Sequence, residues 1–324
     1  MKSASYQPNS LVSICIPTYN RTNLISNLLD SILSQSYTNF EIIITDNSEN
    51  TDTQLLIEHD YQDPRIRYFK NKQNLGMGGN TRRALSYIRG TYFTFTPDDD
   101  VWIDVKKLEK QVQILDMNPD INIVYTNAES IDYEGKILDP FDSIYHSEEG
   151  KRFERLCSSE LLPGNQTKYF LNILTPLIRV DPLLDVFVQS WYFNSEEYFC
   201  FYLSATKQEI GFVYDKTVSL REAEHYRTAI EDGIVVDWGK RKDLRIRQII
   251  AIYTTLTNLF PKTKERLETS QVQNFLARHL ISAAKSTGSL SLILKTFAAC
   301  SLIFRNSSFI GIIKIKKKKG KSFG

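Results

Sequence analysis

An α/β domain built on a mainly parallel sheet with crossover helices is the fold class this sequence predicts. Over the first ~120 residues, short apolar runs alternate with stretches of helical periodicity. Each of those runs ends in a polar cluster, as strands do where a sheet edge meets solvent. The chain has 324 residues, 42% hydrophobic and 24% charged, which is enough for a sizeable core and ordinary for a globular protein.

The elements follow in order. Val12–Pro17 is the first strand, ended by Pro17. Leu24, Leu28, Leu29, Ile32 and Leu33 recur at helical spacing and form one apolar face. Phe40–Thr45 is the second strand, running into Asp46. A helix over Asp52–His59 leads to a short strand at Ile66–Phe69. A glycine-containing loop, Asn74 to Gly79, opens a helix to about Ile88, and Tyr92–Thr96 is the fourth strand. An amphipathic helix is predicted over Ile103–Met117, then a strand at Ile121–Tyr125, with Ile131–Tyr145 as loop. Leu174–Val180 reads as a strand, Glu196–Lys207 as a helix, and Phe212–Tyr214 and Thr217–Leu220 as two short strands. Beyond Asp237 the pattern is helical, broken at Pro261 and Gly288.

Charge is unevenly placed. The net charge is +2, but Lys314, Lys316–Lys319 and Lys321 supply six of the 40 basic residues. Without them the balance is 34 against 38, or −4, and no acidic residue follows Glu268. The four cysteines are scattered and match no metal-ligand spacing, so reduced thiols in a cytoplasmic compartment are expected. The polar Met1–Ser10 segment has no apolar signal core. No stretch reaches the ~18 apolar residues of a membrane span. A nicotinamide-dependent oxidoreductase on the same kind of sheet would need a Gly-x-Gly-x-x-Gly turn after the first strand. Pro17-Thr18-Tyr19-Asn20 stands there instead.

Ligands of open α/β sheets bind at the carboxyl ends of the strands. Pro17-Thr18-Tyr19-Asn20, Asp46-Asn47-Ser48 and Asp98-Asp99-Asp100 all fall at such ends. Three adjacent carboxylates repel one another, so their placement after a strand points to a cation. Carboxylate oxygens suit Mg²⁺ or Mn²⁺. The competing reading is a solvated turn with a helix-capping aspartate.

Four strings carry a resemblance: VSICIPTYNR (12–21), FEIIITDNSENTD (40–52), NLGMGGNTRRAL (74–85) and GTYFTFTPDDDVW (90–102). In order and spacing they resemble the nucleotide-binding half of a family 2 glycosyltransferase with the GT-A, Rossmann-like fold. That resemblance implies an inverting, metal-dependent enzyme that uses a nucleoside diphosphate-sugar and Mn²⁺ or Mg²⁺. It places Pro17, Thr18 and Tyr19 at the base and ribose, and Asp46 beside them, although Asp46 also reads as a turn or N-cap aspartate. Asn74 and Gly76 would shape the loop next to the nucleotide. Arg82 or Arg83 would face the pyrophosphate, or else lie on a solvated helix face. Where the family often has an acidic residue this chain has Pro97, so Asp98 is assigned to ribose, Asp99 to the metal and Asp100 to a second ligand or support.

The resemblance also implies an acidic general base at a helix start in the second half. Glu197 matches that position, with Glu196 next to it, though Ser195-Glu196-Glu197 equally reads as an ordinary helix start. Arg221 and His225 are candidates for phosphate or metal contact, or surface residues. The apolar Leu290–Phe304 segment, with the lysine run after it, predicts a tail that meets an anionic membrane surface, unless it is a core helix with a solvated end. No aromatic residue interleaves the lysines, which argues against nucleic acid.

The expected organisation is a nucleotide-sugar-binding half over residues 1–118, an acceptor-binding half with the base over 119–230, and a helical, basic tail over 231–324. The expected partners are the sugar donor, a glycan or lipid-linked acceptor, and the inner face of the cytoplasmic membrane. A non-catalytic scaffold of the same fold is the alternative.

Overall fold

Alternate residues of the first apolar run enter opposite faces of one sheet. In β1 (Val12–Thr18), Val12, Ile14 and Ile16 join one buried cluster and Cys15 joins the other. Burial on both faces is why this strand reads as a continuous apolar run. The computed structural model describes residues 9–138, 153–157, 174–191, 199, 202–203, 208–221, 228–231 and 234–237.

Helix α1 (Thr22–Leu33) buries Ile25, Leu28, Leu29 and Ile32 against the sheet. β2 (Phe40–Asp46) pairs parallel with β1, setting Thr18 opposite Asp46. After α2 (Asp52–Asp60), β3 (Ile66–Lys70) pairs parallel with β2 and sets Asp46 opposite Lys70. Helix α3 (Gly76–Leu85) leads to β4 (Tyr92–Phe95), parallel to β1 with Cys15 opposite Phe95. Continuing that register by three residues sets Asp98 beside Thr18. The tips of β1, β2 and β3 are thus level, and the aspartate run crosses the tip of β1.

The remaining elements build the other half of the sheet. They are β5 (Val101–Trp102), α4 (Lys107–Met117), β6 (Ile121–Ile131), β7 (Phe153–Cys157), β8 (Leu177–Arg179), α5 (Val180–Ser190) and β9 (Glu209–Arg221). The strand order is β3-β2-β1-β4-β8-β6-β9-β5, with β7 also on β9. β6 and β9 are parallel, whereas β8 is antiparallel to both β4 and β6. β5 and β7 are antiparallel to β9. β10 (Thr228–Glu231) and β11 (Ile234–Asp237) form an antiparallel pair. The chain divides into two compact units, Met1–Leu161 with Thr167–Glu224, and Leu162–Gln166 with His225–Gly324. Strands β1–β9 lie in the first and the β10–β11 pair in the second. Among the described residues no helix is long and apolar enough to cross a membrane.

Several expectations need correction. The parallel sheet expected at the start of the chain is present in β1 to β4, and β5, β7 and β8 add antiparallel pairs, whose direction an apolar run does not signal. The helix expected from Ile103 starts at Lys107, since Val101 and Trp102 pair with β9 first. The helix expected after Gly79 already includes Gly76, Gly78 and Gly79. β6 runs on to Ile131, and the two short strands near 212–220 are one strand, β9. Helix α5 was not expected; Pro182 stands in its first turn, where proline is tolerated. The helix expected over Glu196–Lys207 falls mostly, and the C-terminal helical tail wholly, outside the described residues.

Candidate active site at the carboxyl edge of the sheet

The aspartate run is buried against the tip of β1. Asp98, Asp99 and Asp100 are 3%, 2% and 2% exposed. Thr18 Oγ1 donates to Asp98 Oδ2 at 2.6 Å, and the Tyr19 amide approaches the same oxygen at 3.4 Å. Arg21 Nη1 bridges two carboxylates, lying 3.0 Å from Asp98 Oδ1 and 2.8 Å from Asp99 Oδ2. From β9, the Arg221 amide donates to Asp100 Oδ1 at 3.1 Å, and Arg221 Nε donates to the Asp99 carbonyl at 3.0 Å. Arg221 Nη1 also donates to the carbonyls of Asp132 and Tyr133.

Burial pushes the Asp98 carboxyl up to about 6; Arg21 works against that shift, Asp99 adds to it, and the Thr18 bond opposes it. Asp100 is driven well above the ordinary carboxylate range, first by burial and then by the charge of Asp99. Asp100 Oδ2 is buried without a hydrogen-bond partner among the described residues. An orphaned carboxylate oxygen is costly to bury and is the kind of atom a cation would satisfy. No group of three or more His, Cys, Asp or Glu side chains converges with metal-site geometry among the described residues. The fit is therefore to an ion that takes one or two carboxylates and completes its shell from substrate oxygens and water, as Mg²⁺ does.

Asp46 is fully buried at the tip of β2. Its Oδ1 accepts the Ser48 amide at 2.7 Å, which shapes an aspartate turn. Its Oδ2 accepts Tyr68 Oη at 2.6 Å and Lys70 Nζ at 3.0 Å. Burial and that bond to Asp46 hold the Tyr68 phenol far above its ordinary range.

The loop into α3 is tied to these tips by asparagines. Asn74 Oδ1 accepts Asn47 Nδ2 at 2.9 Å and the Gly76 amide at 2.8 Å. Asn71 Nδ2 donates to Asn47 Oδ1 at 2.6 Å and to Asn80 Oδ1 at 2.7 Å. Asn80 Nδ2 reaches the Thr18 carbonyl at 3.1 Å, closing the link to β1. Gly76 has φ +67°, a backbone conformation that favours glycine.

Residues 13–163 match the family model described as glycosyl transferase family 2. Those residues belong to that family. The matched span holds β1 to β7 and every contact among Thr18, Arg21, Asp46 and the aspartate run. An Escherichia coli protein named UDP-Glc:alpha-D-GlcNAc-diphosphoundecaprenol beta-1,3-glucosyltransferase WfgD is 33% identical over 139 residues, 42% of this chain and 54% of its own length. An uncharacterised glycosyltransferase of Methanocaldococcus jannaschii is 34% identical over 134 residues, covering 40% of this chain and 46% of its own length. The chain thus spans about half the length of these curated relatives. In fold it is similar to Staphylococcus aureus TarS residues 1–349, with a TM-score of 0.62 and 15% identity over 90% of this chain and 80% of that one. The complex of the same TarS fragment with UDP-GlcNAc gives a TM-score of 0.60 over 91% of this chain and 81% of that one. The architecture is that of a GT-A glycosyltransferase.

Within the matched residues, Thr18, Tyr19, Asp98, Asp99 and Asp100 meet at one place, joined there by Arg221 from beyond the matched span, and Asp46, Asn74 and Gly76 are linked to it through asparagines. Pro17 lies in β1 opposite Thr45, and the Tyr19 ring is 43% exposed at the strand tip. Arg82 donates to the Trp191 carbonyl at 2.8 Å, while Arg83 donates to the Lys70 carbonyl at 3.3 Å and to Asn71 Oδ1. Both arginines thus brace α3 in this arrangement. Glu196, Glu197 and His225 lie outside the described residues.

Sequence reasoning placed Asn47 at a strand end without giving it a role, and missed Arg21 and the asparagines Asn71 and Asn80. The signal for Arg21 was its place, three residues past the tip of a strand whose neighbour ends in three aspartates. The asparagines gave no such signal, because their partners are set by the sheet register.

Proposed function

We infer that this protein transfers one sugar from a nucleoside diphosphate-sugar to a hydroxyl of a glycan or lipid-linked acceptor, with inversion. The observation that carries the reading is the buried aspartate run folded over the tip of β1, with one carboxylate oxygen of Asp100 lacking a partner among the described residues. In this reading Asp99 and Asp100 hold Mn²⁺ or Mg²⁺, and Asp98 accepts from the donor ribose. The cation, when bound, supplies positive charge against the departing diphosphate. Thr18 holds the Asp98 carboxylate in place, and the exposed ring of Tyr19 offers a stacking face to the base. Asp46, fixed by Ser48, Tyr68 and Lys70, shapes the wall of the base and ribose pocket. Glu197, with Glu196 beside it, takes the proton from the attacking acceptor hydroxyl. Arg221 secures the aspartate run from β9, and His225 is assigned to phosphate or metal contact.

The name of the Escherichia coli relative, with its UDP-glucose donor and undecaprenol-linked acceptor, supports a lipid-linked acceptor here. The basic C-terminal tail supports work at the inner face of the cytoplasmic membrane, in assembly of a cell-surface polysaccharide.

The test is donor turnover with UDP-, dTDP-, GDP- and CDP-sugars, with Mn²⁺ and with EDTA. Metal-dependent release of nucleoside diphosphate with at least one donor is expected. Tight donor binding without turnover on any donor or acceptor would favour a scaffold instead. Glu197→Gln should keep donor affinity and slow transfer by at least ~100-fold; unchanged turnover removes Glu197 from the mechanism.

A further inference from the structure

We propose that Arg21 is a resident counter-cation of the aspartate run, which a divalent ion must displace, so that Arg21 sets how tightly the site takes its metal. The proposal rests on the reading of Asp99 as a metal ligand.

A single nitrogen, Arg21 Nη1, lies between Asp98 Oδ1 and Asp99 Oδ2 at 3.0 and 2.8 Å. It offsets the repulsion between two adjacent carboxylates that are otherwise out of water. An ion on Asp99 needs an oxygen at roughly 2.0–2.1 Å if it is Mg²⁺, and a guanidinium cannot share that space. Asp99 Oδ2 therefore faces either the arginine or the ion.

The surroundings favour movement of the side chain over movement of the chain. Arg21 stands at the N-cap of α1, and its side chain is 33% exposed, whereas its carboxylate partners are 5% and 2% exposed. The turn before it is fixed, with Asn20 at φ 55° and its amide on Ser48 Oγ at 2.8 Å. The carboxylates are pinned as well, Asp98 by Thr18 and the Asp99-Asp100 backbone by Arg221. The guanidinium is thus the most solvent-exposed member of the group. Its exit toward solvent releases the carboxylates for an ion, and its charge is then free to meet the anionic donor.

The experiment measures Mn²⁺ binding by electron paramagnetic resonance, with no donor present, on full-length wild type, Arg21→Gln, Arg21→Lys and Asp99→Asn. Arg21→Gln should bind Mn²⁺ at least ~10-fold tighter than wild type, because the competing charge is gone. Arg21→Lys, which keeps the charge, should stay within about threefold of wild type. Metal-free Arg21→Gln should melt below wild type and recover on addition of Mn²⁺. Equal or weaker Mn²⁺ binding by folded Arg21→Gln, with Asp99→Asn still abolishing binding, overturns the proposal alone. Wild type, Arg21→Gln and Asp99→Asn binding Mn²⁺ indistinguishably overturns the metal reading and the proposal with it.

Discussion

The two ends of the central strands each bury acidic side chains, and they treat them in opposite ways. At the amino end, Glu41 is 7% exposed and every neighbouring group is answered. Ser13 Oγ donates to Glu41 Oε1 at 2.7 Å, the Arg89 amide to the same oxygen at 2.9 Å, and Arg67 Nη1 to Glu41 Oε2 at 2.6 Å. The Gly90 amide donates to Ser13 Oγ at 2.9 Å, and a Cβ at Gly90 would lie 2.5 Å from the Leu11 carbonyl. Both carboxylate oxygens of Glu41 thus have donors, and the backbone at Gly90 packs closely against that of Leu11. At the carboxyl end, three carboxylates crowd together, two share one guanidinium nitrogen, and one Asp100 oxygen has no partner among the described residues. One sheet thus carries a buried acid that holds the fold and a buried acid cluster kept unfinished. Incomplete satisfaction in a well-packed region is the physical mark of a site awaiting a partner.

Substitutions at the two ends should separate cleanly. Asp99→Asn should weaken Mn²⁺-dependent donor binding by at least ~100-fold with little change in melting temperature, as titration calorimetry would read. Loss of binding that merely follows loss of fold would erase the distinction. Glu41→Ala should do the reverse. It strands Arg67 and the Arg89 amide, costing about 3 kcal/mol, or roughly 10 °C in Tm, while donor affinity in the folded fraction holds. A Glu41 variant as stable as wild type would show that the amino-end network is ornamental. Asp100→Asn should be the smallest and most telling. Replacing a buried carboxyl crowded by the charge of Asp99, with one oxygen lacking a partner among the described residues, should raise the metal-free Tm by roughly 2–4 °C while weakening Mn²⁺ binding several-fold. A lowered Tm would mean that Asp100 is satisfied in solution.

The first half of the sheet was legible because its signals are local. Apolar runs, the glycine loop and the aspartate run each announce themselves within a few residues, and β1 to β4 fall within a residue or so of expectation. The second half was less so. β9 reads as two strands because Asp215 and Lys216 interrupt the apolar pattern, yet it runs continuously beside β6 across register shifts at Thr126–Ala128. The beginning of α4 was misplaced because Ile103 and Val105 look like a buried face but are 44% and 51% exposed. In the site, residue types pointed to Asp98–Asp100, but pairing across 77 and 78 positions joined them to Arg21. Partners that distant are fixed by strand order and register, which periodicity does not encode.

The most direct measurement is the anomalous scattering of manganese in crystals soaked with Mn²⁺ and a UDP-sugar. The account predicts a peak against the Asp99 and Asp100 carboxylates, with diphosphate oxygens completing its shell and the base near Tyr19. A bare aspartate run, with nucleotide bound at another part of the fold, would contradict it.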